Sequence, residues 1–210
     1  MTEDEARAWL QARKVSRETF DAIERFLAFL RDEATHQNLI SASTLDAMWA
    51  RHVVDSAQLM DHAAGWKSWL DLGSGAGFPG LIAAILGNGH VTLVESRTKR
   101  IAFLREAAKI AGVAYRTEVI GSRVEAMRHR RFDVISARAF APLPKLLAIA
   151  LPFSDKNTRW VLPKGKSAAE ELEAARASWQ GDFRLVPSVT DSEAAIIVAS
   201  GVTTGGKARR

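Results

Sequence analysis

The chain is predicted to be an α/β protein: a Rossmann-like, doubly wound sheet of seven strands, the last of them antiparallel, preceded by a helical N-terminal extension. Three observations carry this. From Trp66 onward, short apolar runs alternate with helical patterns, the signature of a mostly parallel sheet covered on both faces. The last two runs follow each other through Thr190, Asp191, Ser192 and Glu193 with no helix between, which calls for an antiparallel pair. A glycine-rich stretch ends the first strand and opens the next helix.

The elements follow in order. Over 16–30, Phe20, Ile23, Phe26, Leu27 and Leu30 recur at three- and four-residue spacing, one face of a helix, with Ser16 in the cap region. A polar connection over 35–41 leads to a second helix from 43 or 44, carrying Leu45, Met48, Trp49, His52, Val53 and Leu59. Strands are expected over 68–72, 91–95, 115–120, 132–137, 159–162, 183–189 and 194–199. Helices are expected over 81–86, 99–111, 144–151 and 168–179, with a short one near 123–128. Residues 1–65 then form the helical extension and 66–200 the ligand-binding domain. The glycine- and charge-rich stretch 201–210 reads as a flexible tail.

A chain of 210 residues can fill one sizeable core, and 25% charged residues beside 47% apolar ones is ordinary globular composition. No apolar run is long enough to span a bilayer, and the first five residues are acidic where a signal peptide is basic and then apolar. A cytoplasmic monomer is expected. The chain has no cysteine, which excludes disulfides, thiolate metal sites and a cysteine nucleophile. His36, His52, His62, His90 and His129 lack metal-ligand spacing, so no metal is expected. The net charge of +5 is uneven: residues 1–65 carry −4 and residues 97–131 carry +7. That block suits a polyanion as well as it suits a solvated helix face.

The strongest motif is Asp71-Leu72-Gly73-Ser74-Gly75-Ala76-Gly77-Phe78-Pro79-Gly80. Glycines at a strand-to-helix turn let the main chain bend sharply and approach a ligand closely. Glu95, at the end of the second strand, can accept both hydroxyls of a ribose. Gly75, Gly77 and Gly80 also satisfy the G-x-G-x-x-G dinucleotide fingerprint, with Glu95 20 residues beyond Gly75, so an NAD(P)-dependent oxidoreductase is a rival reading. Three features favour a sulfonium methyl donor, S-adenosylmethionine. The glycine run begins earlier, at Gly73. Asp71 at the strand end suits an amino-bearing ligand better than a pyrophosphate. The antiparallel C-terminal pair is foreign to the dinucleotide fold. A non-catalytic RNA-binding protein is the third possibility.

With these residues in place, the sequence resembles the class I methyltransferases, and closely the ribosomal small-subunit methyltransferase G family, also called glucose-inhibited division protein B. The resemblance covers nearly the whole chain. Besides the glycine loop it rests on Asn38-Leu39, on Arg51-His52-Val53-Val54-Asp55-Ser56 and on Glu95-Ser96. It continues through Arg123-Val124-Glu125, Ser136-Ala137-Arg138-Ala139 and Leu162-Pro163-Lys164-Gly165. It implies methylation of guanine at ring nitrogen 7 in the decoding-region loop of 16S rRNA, with the rRNA or the small ribosomal subunit as partner. It also implies donor contacts from Gly73 and Phe78, Glu95 on the ribose, Val124 and Glu125 beside the adenine, and Arg138 near donor and target base. The family motif runs Ser-Arg-Ala where this chain has Ser136-Ala137-Arg138.

The chemistry agrees with what the chain lacks. Methylation of a pyrimidine carbon normally needs a cysteine nucleophile. Methylation of an exocyclic amine commonly uses an Asn/Asp-Pro-Pro-aromatic loop, and the corresponding stretch here is Ala137-Arg138-Ala139-Phe140-Ala141-Pro142. A ring nitrogen with a free lone pair needs positioning alone, so no catalytic acid or base is assigned. RNA contacts are expected from Arg97, Arg123, Lys164 and Lys166, and Lys99, Arg100, Arg128, Arg130, Arg131, Arg138 and Lys145 are also expected in the half that holds strand ends and loops. Phe140 is read as packing in preference to base stacking. Arg51 and Asp55, four apart, are read as a local ion pair.

Overall fold

The computed structural model describes residues 1–205. Seven strands form one sheet in the order β3-β2-β1-β4-β5-β7-β6. They are β1 (Ser68–Leu72), β2 (His90–Glu95), β3 (Thr117–Gly121), β4 (Val134–Ala137), β5 (Arg159–Lys164), β6 (Trp179–Pro187) and β7 (Ala195–Thr204). The first five are parallel, and β7 runs antiparallel between β5 and β6. That order differs from the all-parallel two-half sheet of dinucleotide enzymes.

The central strands are buried on both faces, as a parallel sheet requires. Along β1, Trp69 joins the core on one face while Leu70 and Leu72 join the core on the other. The first face is covered by α1 (Glu3–Ala12), α2 (Arg17–Glu33), α3 (Asp55–Ala57), α4 (Gly80–Leu86) and α5 (Thr98–Ile110). The second is covered by α6 (Leu143–Ala150) and α7 (Ala168–Arg176). Phe26, Leu27 and Leu30 of α2 belong to the same apolar cluster as Leu81 of α4 and Phe103 of α5, so the N-terminal helices share the sheet's core.

Four features differ from the sequence reading. The helix α1 was not expected, because only Ala6 and Leu10 are buried on it. It is fixed by a capping box between Thr2 and Glu5. The expected second helix is irregular: a π-helical segment (Trp49–Val54), the single turn α3 and a 3-10 segment (Gln58–His62). The Glu3 carboxylate accepts from the Trp49 and Ala50 N–H groups (3.1 and 2.9 Å), satisfying the start of the π segment. Strand β6 begins at Trp179, a residue expected to close the preceding helix. Strand β7 continues to Thr204, so 201–204 is sheet and not tail, its backbone held by β6; 206–210 lie outside the described residues.

Strand order reverses between β1 and β4, and the crevice beyond their carboxyl ends is where such sheets bind ligands. Leu72 is paired with Val94 on one side and with Ala137 on the other. Gly73, Glu95 and Arg138, one residue further on, therefore leave the sheet side by side.

Candidate functional site

The loop after β1 turns on three left-handed glycines: Gly73 (φ 67°), Gly75 (φ 53°) and Gly77 (φ 90°). A side chain there would be strained whatever space it had. Gly73 and Ser74 donate main-chain hydrogen bonds to the Val94 carbonyl (2.9 and 3.1 Å), which ties the loop to β2. Glu95, 6% exposed, completes the tie. One carboxylate oxygen accepts from Gly75 N (3.1 Å), the other from Ser96 N and Arg97 N (2.7 and 2.9 Å). A carboxylate has about four acceptor sites. Main-chain N–H groups take three of them.

Beyond this loop lies a cavity of about 490 Å³ whose walls include Gly73, Glu95, Arg123, Val124, Glu125 and Phe140. Its volume and mixed lining suit a nucleoside-sized ligand. The 3-10 turn Val124–Ala126 buries Val124, while Arg123 and Glu125 pair loosely at 3.8 Å in solvent. Arg100, which the sequence offered only as one of many basic residues, is the cavity's interior cation. It lies 3.9 Å from Glu95 and donates to the Asn38 carbonyl (3.0 Å), joining α5 to the Asn38-Leu39 stretch.

A second cavity, about 510 Å³, opens on the other side of the loop that follows β4. Here the walls come from four segments distant in sequence: His52 and Asp55, Arg138, Lys164 with Glu171, and Thr190 with Asp191. Arg138 donates to His52 Nδ1 (3.0 Å), lies 3.5 Å from Asp55 and sits over the Phe78 ring. Since arginine only donates, His52 Nδ1 is the acceptor and Nε2 carries the proton toward Thr44 Oγ1 (3.0 Å). Burial, then the charge of Arg138, pushes the His52 pKa down to about 3. Burial raises that of Asp55 against the pull of Arg138. The two cavities share Ala139, Phe140 and Ala141 and nothing else of their linings.

Several expected roles change. Asp71 lines neither cavity. It is fully buried beneath the loop, accepting from Ser136 Oγ (2.7 Å), which in turn accepts from Trp69 Nε1 (2.8 Å). Its carboxyl pKa is pushed up to about 6 by burial, and it packs against Gly80, where any Cβ would come within 2.9 Å of Asp71 Oδ2. Its work is to seat the start of α4. Phe78 likewise turns inward, between Phe26 and His52, so any ligand contact is left to its main chain. Arg138 lies on the wall of the second cavity and not of the first. Lys164 is not free for phosphate: its Nζ donates to the Ala141 carbonyl (3.0 Å) and Glu171 (2.7 Å). Arg51 pairs with Asp191 (2.8 Å) and leaves Asp55 to Arg138. Arg97 and Lys166 are exposed and directly follow Ser96 and Gly165, which line the first and second cavities respectively. Arg130 and Arg131 are exposed too but precede β4, at the opposite end of the sheet, where Arg130 pairs with Glu118 and Arg131 donates to the Pro152 carbonyl.

A glycine loop at the reversal point, a carboxylate ending β2 and a sheet with antiparallel β7 define the class: an α/β fold of the methyltransferase type. Two solved structures share it. An O-methyltransferase from Bacillus cereus in complex with SAH matches with TM-score 0.59 and 15% identity, over 83% of this chain and 90% of that one. An RNA methyltransferase from Salinibacter ruber in complex with S-adenosyl-L-homocysteine matches with TM-score 0.54 and 19% identity, over 70% and 89%. At such identities they speak for the fold alone. The particular family comes from sequence. The model for rRNA small subunit methyltransferase G matches residues 19–196, and the chain belongs to that family. It is 56% identical to ribosomal RNA small subunit methyltransferase G of Rhizorhabdus wittichii, covering 100% of this chain and 98% of that relative. With the protein of the same name from Zymomonas mobilis it shares 52%, over 95% and 94%. No helix among the described residues is long and apolar enough to cross a membrane.

Proposed function

We propose that the chain transfers a methyl group from S-adenosylmethionine to guanine N7 in the decoding-region loop of 16S rRNA. The donor nucleoside belongs in the Glu95 cavity and the acceptor base in the Arg138 cavity. The observation that carries this reading is the pair of cavities meeting at one thin loop, at the reversal point of a sheet whose family acts on small-subunit rRNA. When bound, the donor supplies a methyl on positive sulfur: the N7 lone pair forms the new N–C bond, the C–S bond breaks with its electrons kept by sulfur, and no proton leaves.

The protein's part is binding and alignment. Glu95 takes a ribose hydroxyl while holding Gly75 in its left-handed turn. Val124 and Glu125 flank the adenine, and Gly73 lets the donor run close to the main chain. Arg138, fixed by Asp55 and His52, presents a cation at the acceptor wall. Arg97, Arg123 and Lys166 supply salt-dependent phosphate attraction around the rim.

The test combines purified protein, S-adenosylmethionine and small subunits from a strain lacking this activity, followed by mapping of the modified base. The expected product is one N7-methylguanine in the decoding-region loop. Binding of NADH in place of the methyl donor, or rRNA affinity without donor binding, would sink the proposal.

A further inference from the structure

We infer that Phe140 is a positioning residue that divides the two cavities and competes with the methyl donor for the space over Gly73, on a two-residue hinge whose ends are clamped. This rests on the assignment of donor and acceptor to the two cavities.

The ring lies where a glycine has been kept free. A Cβ at Gly73 would sit 2.6 Å from Phe140 Cδ2, far inside contact distance. A donor reaching from Glu95 toward the acceptor cavity has to pass the only wall the cavities share, Ala139 to Ala141. Ring and donor therefore claim the same volume.

The loop is built to move at one place. On its near side, Arg138 is held by His52 and Asp55. On its far side, Lys164 grips the Ala141 carbonyl, and Glu171 accepts both from Lys164 and from Leu143 N (2.8 Å). Only Ala139 and Phe140 lie between these clamps. Ala139 has φ 50°, a left-handed conformation that alanine rarely adopts, held between the clamped ends. A strained residue beside a half-buried ring has two arrangements available: the ring over Gly73, or the ring swung to the acceptor side, where an aromatic face suits an unstacked base.

The experiment measures S-adenosylhomocysteine binding by calorimetry and rRNA methylation kinetics for wild type, Phe140→Ala, Phe140→Tyr and Ala139→Gly, with thermal unfolding of each. Removing the ring removes the competition, so Phe140→Ala is expected to bind the nucleoside at least about threefold tighter, since an occluding state lowers apparent affinity by its population. The same variant is expected to lose about tenfold in kcat/KM for rRNA, chiefly through KM, because the acceptor loses its aromatic face. Phe140→Tyr keeps the ring and should restore both quantities. Ala139→Gly removes the cost of the left-handed turn in the arrangement that places the ring over Gly73, so with the ring retained it should bind the nucleoside more weakly. Weaker or unchanged nucleoside binding by Phe140→Ala, with its unfolding temperature intact, overturns the inference. Failure of wild type to bind the nucleoside at all overturns the donor assignment instead, which keeps the two failures apart.

Discussion

The cavity beside Glu95 and the cavity beside Arg138 are nearly equal in volume, yet they are assembled by different means. The first is a main-chain construction: left-handed glycines, N–H groups on the Val94 carbonyl, and one carboxylate that accepts from three neighbouring amides. The second is held by ion pairs, two of them between segments far apart in sequence, Arg138 with Asp55 and Arg51 with Asp191, and a third, Lys164 with Glu171, between β5 and α7. The difference has a physical consequence. A site shaped by backbone tolerates most side-chain changes except at its glycines and at the acid that accepts from its amides, Glu95. A site shaped by partly buried charges fails when any one charge is removed, since the partner is left desolvated and alone.

Arg138→Met breaks that contrast most sharply. It strands the half-buried Asp55 and leaves His52 Nδ1 without a donor, so it should cost on the order of 2–3 kcal/mol in urea unfolding, below the range for fully buried pairs because both groups keep some solvent contact. The double variant Arg138→Met/Asp55→Leu should recover about half of that, since no lone charge remains. A single-variant loss under about 0.5 kcal/mol would show that these ion pairs do not organise the acceptor side.

Glu95→Ala tests the other half. Losing a charged acceptor should weaken nucleoside binding by roughly 1.5–3 kcal/mol in calorimetry. Because Gly75, Ser96 and Arg97 lose their acceptor too, unfolding stability should also drop, by about 1 kcal/mol. Glu95→Gln retains an acceptor oxygen and should fall between. Unchanged binding in Glu95→Ala would remove Glu95 from the donor site.

The same contrast explains what could be read before the fold was seen. The two anchors of the proposed donor side, the glycine run after β1 and the acid ending β2, lie in two consecutive strand-to-helix turns, so each follows from residues a few positions apart. The acceptor side depends on which distant segments meet. Nothing near Lys164 announces that Glu171 and the Ala141 carbonyl will occupy its ammonium, so it read as a free phosphate ligand. Asp71 was placed at the correct strand end but on the wrong side of it; alternation along β1 turns its carboxylate into the core toward Ser136. The irregular helix over 49–62 was legible as helical but not as π-widened, because its capping acid, Glu3, comes from another helix. Basic residues 130 and 131 could be counted but not assigned to an end of the sheet.

The smallest effect sharpens the comparison through pH. His52, on the acceptor side, has a folded pKa near 3 against an ordinary 6.5, so the fold refuses a proton that the unfolded chain accepts. Its contribution is complete above 6.5 and is lost as pH falls from there toward 3. Asp71, beneath the donor loop, has a folded pKa near 6 against an ordinary 3.8, so the fold keeps a proton that the unfolded chain releases. Its contribution is complete below 3.8 and is lost as pH rises toward 6. Between pH 5 and 7 the two oppose each other. Asp71→Asn leaves His52 alone, and unfolding free energy should then rise with pH by about 2 kcal/mol across that interval. His52→Gln, which still offers Arg138 an acceptor, leaves Asp71 alone, and stability should instead fall by about 1 kcal/mol. Urea titrations at pH 5 and 7 decide it: slopes of the same sign in the two variants would mean that the two buried groups do not titrate as their surroundings dictate.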